Sequence, residues 1–497
     1  MIQRAKRRLA GMIVCALAGC AAGPDFKPPP APEGPGFVPA GQLAEQTASA
    51  PMPGGDAQHF VEGLDIPGQW WALFQSPELN RLIEQALKNN PTLQAAQASL
   101  RQANENVAAQ RGTLYPSVSA NYQAERARSS AAEFGLPQQG SGYLYTLNSA
   151  SVNVSYTLDA FGGVRREIEA MQAQADYARF ALEASYLTLT ANVVTAAIAE
   201  GSLRAQIAAT EDIARAQQMQ LDITRLRLNA GGASRADVLQ QQATLQATLA
   251  TLPPLRTQLA QQRNLLSTYV GSLPADYAGA EFHLDSLSLP TDLPVSLPSK
   301  FVEQRPDVRQ YSALLHQATA QIGVATANLM PQLTLTGSYG GAAVKFSDMF
   351  SPSSIVWRLA ASVTQPIFNG GQLVHERRAA VAAAQEAAAN YKATVLVAFQ
   401  NVSDSLYALQ GDADALAAET NAERSAAGSL ELVQAQYKAG GASFLQVLTA
   451  EQIYQSAAVA LVKARAQRYA DTAALFQALG GGWWNRADIA VNSTASP

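Results

Sequence analysis

Four segments of this chain alternate between apolar and polar residues with a period of two. Val118, Ala120 and Tyr122 fall on one face, with Ser117, Ser119 and Asn121 on the other. Val152, Val154, Tyr156 and Leu158 oppose Ser151, Asn153, Ser155 and Thr157. Leu333, Leu335 and Tyr339 oppose Gln332, Thr334, Thr336 and Ser338. Leu359 and Val363 oppose Arg358, Ser362 and Thr364, and Trp357 opens that run. Period two predicts strands with one dry and one wet face. A sheet lying over a soluble core and a strand in a membrane barrel show the same alternation.

Between the strands the pattern changes. From Gly163 to about Asn229 no proline occurs, and Ala, Leu, Gln, Glu and Arg dominate. The same holds from Gln372 to about Lys438. A helix rising 1.5 Å per residue would reach roughly 100 Å over each stretch. Returning helices are predicted from Ser234 to about Val270 and from Ser443 to about Leu479. Pro253-Pro254 predicts a kink or a split in the first of them. All four helices read as too weakly apolar for lipid, so they are expected to bury against one another as coiled-coil hairpins.

The order of elements occurs twice. Asn229-Ala230-Gly231-Gly232-Ala233-Ser234 returns as Lys438-Ala439-Gly440-Gly441-Ala442-Ser443, shifted by 209 positions. Leu114-Tyr115-Pro116 returns as Leu329-Met330-Pro331, and Asn90-Pro91 as Arg305-Pro306, both shifted by 215. Each half therefore reads as a proline-entered short helix (91–111 and 306–328), two strands, a long helix, a Gly-Gly break and a second long helix. Four strands cannot close a barrel, for which about eight are the minimum. An open edge in lipid leaves backbone groups unpaired at several kcal/mol each. Strands of this kind in a membrane must be shared between chains, eight from two copies or twelve from three.

The N-terminus adds an address. Arg4, Lys6, Arg7 and Arg8 precede the short apolar run Leu9–Ala18, which predicts a secretory signal peptide rather than a membrane span. It ends in Leu17-Ala18-Gly19-Cys20, a pattern resembling the lipobox of bacterial lipoproteins, whose cysteine carries the lipid. The alternative is ordinary cleavage that leaves Cys20 a free thiol. Residues 21–56, rich in Pro, Gly and Ala, read as an extended linker.

Composition narrows the chemistry. The chain has 497 residues, a net charge of −4 and a charged fraction of 15%. Such a balance gives no footprint for nucleic acid. Cys15 and Cys20 are the only two cysteines, which excludes disulfides and thiol chemistry from the rest of the chain. His59, His283, His316 and His375 lack ligand spacing, and neither a nucleophile elbow nor a phosphate loop is present. No catalytic residue, cofactor or metal site is expected. The seven methionines are dispersed and form no metal path.

The lipobox, the following Gly23-Pro24-Asp25-Phe26-Lys27-Pro28 and the Gly-x-x-Ser turns at Gly231 and Gly440 carry a resemblance to a known family. So do the junctions Leu158-Asp159-Ala160-Phe161-Gly162-Gly163 and Pro366-Ile367-Phe368-Asn369-Gly370-Gly371, and Gln304-Arg305-Pro306-Asp307-Val308. The chain resembles the TolC-like outer-membrane factors, in the lipoprotein branch that serves RND-type pumps, over about residues 20–480. The resemblance implies an α+β membrane protein with four barrel strands and long antiparallel helices per chain. It implies a homotrimer with a twelve-stranded β-barrel and a helical tunnel. Such a trimer is a passive exit duct for drugs or other small molecules in the outer membrane of a Gram-negative bacterium, anchored in lipid at Cys20. Its implied partners are a periplasmic membrane-fusion (adaptor) protein and an inner-membrane RND-type transporter. A duct for type I protein secretion or for metal-ion efflux would share the architecture.

The divisions that follow are a signal peptide (1–19), a lipidated linker (20–75), a first repeat (76–270) and a second linker (271–297). A second repeat (298–480) and a tail (481–497), expected to be partly disordered from Gly481, complete the chain. Strands are expected at about 114–125, 149–159, 331–341 and 356–367, and helical hairpins at 163–270 and 372–480, turning at 229–234 and 438–443. The family's gate lies at the hairpin ends, where acidic residues often ring the pore. Here Gln446 and Thr449 stand at positions that are Asp in some members, Asp237 is the first-repeat counterpart, and Leu445 and Gln452 lie nearby. Asp237 could equally cap its helix or pair with Arg235. Gly231, Gly232, Ser234, Gly440, Gly441 and Ser443 are the expected adaptor-facing turn residues.

Overall fold

A computed structural model describes residues 21–30, 36–39, 41–130, 143–296 and 298–486. Cys20 and the signal segment lie outside the described residues, as do 487–497 of the tail. In chain order the elements are β1 (His59–Glu62), α1 (Pro77–Asn89), α2 (Pro91–Gly112), β2 (Ser117–Ser129) and β3 (Tyr143–Leu158). Then come α3 (Gly163–Asn229), α4 (Arg235–Tyr269), β4 (Asp292–Val295), α5 (Pro298–Gln304) and α6 (Pro306–Ala327). β5 (Gln332–Ala343), β6 (Ile355–Thr364), α7 (Gln372–Lys438) and α8 (Phe444–Ala478) complete the list. The two long helices have 67 residues each, and the two returning helices 35 each. The chain divides into two compact units: residues 1–29, 99–178 and 311–391 form the first, and 30–98, 179–310 and 392–497 the second.

The first unit holds one antiparallel sheet in the order β2-β3-β5-β6. Its register aligns the apolar sets of all four strands. Val118, Val154, Gly337 and Leu359 form one cross-strand row, and Ala120, Val152, Tyr339 and Trp357 the next. The alternate rows are polar, such as Ser119, Asn153, Ser338 and Arg358. A one-residue slip in any strand would mix the two faces, so the pattern selects the register. β2 and β3 extend further outward than the periodicity suggests, to Ser129 and from Tyr143. Polar and charged positions there break the apolar alternation while the backbone ladder continues.

The junction from β3 to α3 is held by Asp159. Its carboxylate accepts from the Val164 and Arg165 backbone N–H groups at 2.9 and 3.0 Å, capping orphan donors of the helix. The segment Ala21–Pro28 docks beside it. Ala22 N–H donates to Phe161 O, and Arg166 donates to Ala22 O and to Asp25 at 2.6 Å. Phe26 stacks on His316 with ring centroids 4.3 Å apart, while His316 and Arg166 share Glu169. Gly23 lies against Gly323, where a Cβ would approach the opposing Cα to 2.5 Å. The Gly-Pro-Asp-Phe motif is thus a latch in which Gly23, Asp25 and Phe26 each have a physical task.

In the second unit the two halves use one solution at the C-terminal ends of α4 and α8. Asn90 donates to Tyr269 O, the last residue of α4, and its Oδ1 accepts from Thr92 and Leu93 N–H. At the matching position Arg305 donates to Ala478 O, the last residue of α8, and grips Asp307 with two nitrogens. Asp307 in turn accepts from Val308 N–H. Gly271 and Gly480 follow these helix ends with φ of 71° and 95°, and a Cβ at either would come within 2.5 Å of Asn89 O or Gln304 O. Left-handed backbone and close approach both require glycine there.

Three expectations need correction. The segments 20–75 and 271–297 are not plain linkers, because β1 and β4 pair in parallel and Gln58 joins Pro290 O to Thr472. Buried Arg468 completes that contact by donating to Thr47 and Asp56 O. The described start of the tail packs on the second unit: Trp483 is buried and donates to Gln304 O, and Arg486 pairs with Glu183 at 2.6 Å. Pro253-Pro254 does not split α4, which is continuous through both. Prolines at these places leave the Leu249 and Ala250 carbonyls without their usual donors. The buried side chains of Leu245, Thr248 and Leu252 on the same helix nevertheless hold it in place. Finally, one stretch of α3 is apolar enough by length and composition to cross a membrane, but more than half of it is buried within the chain, as in a core helix.

Candidate functional site

The hairpin ends are built from six residues each. Asn229 ends α3, and Gly231 follows with φ of 76°. Gly232 N–H donates to Arg227 O and Gly231 N–H to Leu228 O. These two bonds are the Schellman closure of a helix end, and the positive φ explains the first glycine. Three residues later Ser234 caps α4, accepting from Asp237 N–H, while the Asp237 carboxylate accepts from Ser234 N–H at 2.8 Å. The second hairpin repeats every step. Gly441 and Gly440 donate to Gln436 O and Tyr437 O, Gly440 has φ of 81°, and Ser443 and Gln446 form the reciprocal pair. A helix stop and a helix start in direct succession reverse the chain in the fewest residues.

Asp237 and Gln446 therefore each have a structural task in the first helical turn. Leu445, Thr449 and Gln452 lie at spacings of four and three on one exposed face of α8, and the Thr449 hydroxyl donates to Leu445 O. Phe444, Val447, Leu448 and Glu451 form the opposite, buried face.

That buried face holds a polar cluster which sequence reasoning missed. Gln241 of α4 is fully buried and donates to Gln217 O of α3 at 3.4 Å and to Glu451 of α8 at 3.5 Å. Both polar atoms of the Gln217 side chain and Oε1 of Gln241 have no partner among the described residues. The signal was legible: Glu451 follows Phe444, Val447 and Leu448 on the apolar stripe, and Gln241 follows Val238 on another. Nearer the tip, Arg227 lies 4.5 Å from the Tyr437 ring centroid and ties the first hairpin to the second.

Burial pushes the Glu451 carboxyl up from its ordinary value of 4.5, against the smaller opposing effect of the Gln241 hydrogen bond. A raised carboxyl favours the fold in its neutral form. That stability is complete below the ordinary value and is lost as pH rises through the raised one. Glu451→Gln is expected to stabilise the hairpin pair at neutral pH by on the order of 1 kcal/mol, a usual size for a point substitution. It should also flatten the dependence above pH 4.5, which thermal unfolding over a pH series would measure. A variant as pH-dependent as the parent would refute the assignment.

The sheet of the first unit is the second part of the site. Its apolar rows are exposed: Trp357 is 73% and Leu359 78% accessible. Between Ala150 and Leu158 they cover eight steps of β3, roughly 27 Å along the strand at about 3.4 Å per residue. Tyr122, Phe346 and Phe350 cluster at the end away from the helices, and Tyr115, Ile367 and Phe368 are exposed at the other. Aromatic belts at both margins of an outward apolar band are the signature of a strand set in a bilayer. Among the described residues no group of His, Cys, Asp or Glu could hold a metal ion.

A family model described as outer membrane efflux protein matches residues 82–272 and 297–481. The chain belongs to the outer membrane efflux protein family. It is 30% identical over 475 residues to the probable efflux pump outer membrane protein TtgC of Pseudomonas putida, covering 95% of this chain and 94% of that one. It is 31% identical to the pyoverdine export outer membrane protein OpmQ of Pseudomonas aeruginosa, over 84% of this chain and 87% of that one. Among solved structures, the outer-membrane channel OprN superposes with a TM-score of 0.84 at 25% identity, over 93% of this chain and all of that one. The open state of the Neisseria gonorrhoeae MtrE outer membrane channel gives 0.79 at 26%, over 93% and 99%. This efflux channel is thus an outer-membrane component of an efflux system, in a family of channels rather than enzymes.

Proposed function

We propose that three copies of this chain close a twelve-stranded barrel in the outer membrane. Their long helices form a periplasmic tunnel, so that the trimer is a passive exit duct for drugs or other small molecules. The observation that carries the reading is the four-stranded sheet with one apolar face and two edges, β2 and β6, each bonded to a neighbouring strand on one side only. Backbone groups at such edges need partners in lipid, and a copy of the same chain supplies them, β6 against β2. Twelve strands leave a passage where eight would be filled by side chains.

Signal peptide, lipobox and latch support a lipid tether at Cys20, with Ala21 and Ala22 following it. An acyl chain contributes about 0.8 kcal/mol per buried CH₂, so several chains make a firm anchor. The hairpin turns at Gly231, Gly232, Ser234, Gly440, Gly441 and Ser443 face a periplasmic adaptor protein, itself fed by an inner-membrane RND-type transporter. Leu445, Gln446, Thr449 and Gln452, with Asp237, line the constriction. The ring there is neutral on the second hairpin, because Gln446 and Thr449 carry no charge. The family resemblance divides the mature chain into two repeats at 76–270 and 298–480. The efflux of antibiotics or of pyoverdine named for relatives fits the same duct.

Native mass spectrometry of the detergent-extracted protein tests the reading. Three chains, each with acyl groups on Cys20, are expected, together with conductance in a planar bilayer. A monomer would sink the shared barrel, and three unmodified chains would sink the tether alone.

A further inference from the structure

The connection from β5 to β6, residues 344–354, folds back onto the apolar face of the sheet instead of rising clear of it. Val344 O accepts from Asn148, whose Oδ1 accepts from Tyr122 at 3.1 Å. Phe346 packs edge-on against Tyr122 with centroids 5.9 Å apart. Met349 is buried, and its carbonyl lies against Gly341 where any side chain would collide with it. The result is an open cleft of about 520 Å³ lined by Tyr122, Ala150, Val152, Tyr339, Met349 and Phe350. Side chains of the outward apolar rows form its floor, at the end of the sheet away from the helices.

Positive charge follows the cleft along the same face. On β2 the outward face continues past Tyr122 to Arg126 and Arg128, which the register places opposite Thr146 and Leu144. Both arginines are exposed. Lys345 is exposed on the folded-back connection itself. Asp348, hydrogen-bonded to Ser347, is the acidic group there. Arg126 lies four residues beyond Tyr122, roughly 14 Å along the strand at about 3.4 Å per residue. Apolar cleft, aromatic rim and basic cluster follow one another in the order of acyl chain, interface and headgroup.

We propose that this face is a binding site for one phosphorylated, multiply acylated glycolipid of the outer leaflet. An acyl chain occupies the cleft, and the phosphates meet Arg126, Arg128 and Lys345. Guanidinium forks are the side chains best suited to phosphate, and these three cations order the lipid against the barrel. The inference rests on the membrane reading of the sheet. Its occupant follows from position, because the outer leaflet is the lipid layer at the end of the sheet away from the helices.

The full-length protein, extracted from outer membranes in mild detergent, should retain glycolipid, at about one per chain, by native mass spectrometry and by hydroxy-fatty-acid analysis. The delipidated trimer should then bind purified lipid A at least tenfold more tightly than phosphatidylglycerol micelles of equal charge. Arg126→Glu with Lys345→Glu should lower retention roughly tenfold, a difference in binding of about 1.4 kcal/mol. Ala150→Trp, which fills the cleft and leaves the charges, should also lower it. Equal affinity for the two lipids, or retention unchanged in both variants, would overturn the site. A folded trimer that holds no glycolipid fails this inference only, whereas a chain that forms no barrel fails the membrane reading beneath it.

Discussion

Arg305→Ala is expected to destabilise the second unit by about 3 kcal/mol, the lower end of the range for breaking a buried ion pair. Arg305 is 7% exposed and holds three things at once: the Ala478 carbonyl at 2.5 Å and both oxygens of Asp307. Truncation strands that carbonyl at the end of α8 and leaves Asp307 without its cation. Arg305→Lys should recover only part of the loss, since an ammonium cannot span carbonyl and carboxylate as a planar fork does. Gly480→Ala attacks the same joint from the backbone, through a φ of 95° and a Cβ 2.5 Å from Gln304 O. The two substitutions loosen one joint, residues 304–307 against 478–480, so the double variant should cost less than the sum of the singles. Denaturant unfolding of the purified protein, read by helical circular dichroism, measures all four variants. An Arg305→Ala protein as stable as the parent would show that the motif's charge pair is incidental.

This joint also shows what a sequence can and cannot disclose. The Gln-Arg-Pro-Asp run and its counterpart at Asn90-Pro91 were visible as repeated landmarks. That Asn90 and Arg305 do the same task by different chemistry was not, because the carbonyls they hold are 179 and 173 residues away. The hairpin turns lie at the other extreme. Schellman closure and capping box are local, so Gly-Gly-x-Ser with Asp237 or Gln446 three residues later contains the whole structure of the turn. The same locality turns Asp237 from a free charge into a capping partner of Ser234.

Where the reading from sequence fell short, long-range packing decided. Gln58, Thr47 and Arg468 look like ordinary surface residues in a polar stretch and on a helix, yet more than 400 positions of chain separate Arg468 from both partners. Nor does the sequence disclose that the Trp483 indole donates to Gln304 O, 179 residues away. Glu451 is the instructive case among candidates for the channel's inner end. Residues chosen by family position, Leu445, Thr449 and Gln452, occupy the exposed face of α8. The carboxyl with a shifted proton affinity lies one turn away on the buried face, where only the heptad-like spacing pointed.

The membrane reading of the sheet predicts an asymmetry between its two faces that no soluble sheet of this register would show. Leu359 lies in the apolar row with Val118, Val154 and Gly337, and Ser362 lies one face over, opposite Thr334. In a bilayer, Leu359→Arg should cost about 2–4 kcal/mol near the midplane and correspondingly reduce the heat-modifiable folded trimer. Ser362→Arg, on a wet interior face, should leave the folded fraction close to that of the parent and instead shift the charge selectivity of the pore. If the apolar rows packed on a soluble partner, Leu359→Arg would abolish one interface while leaving folding in detergent intact. The measurement is the folded fraction after refolding into vesicles of increasing bilayer thickness. Only the lipid-facing arginine should become worse tolerated as the bilayer thickens, because its distance to the nearest headgroup layer grows while that of the interior arginine to water does not.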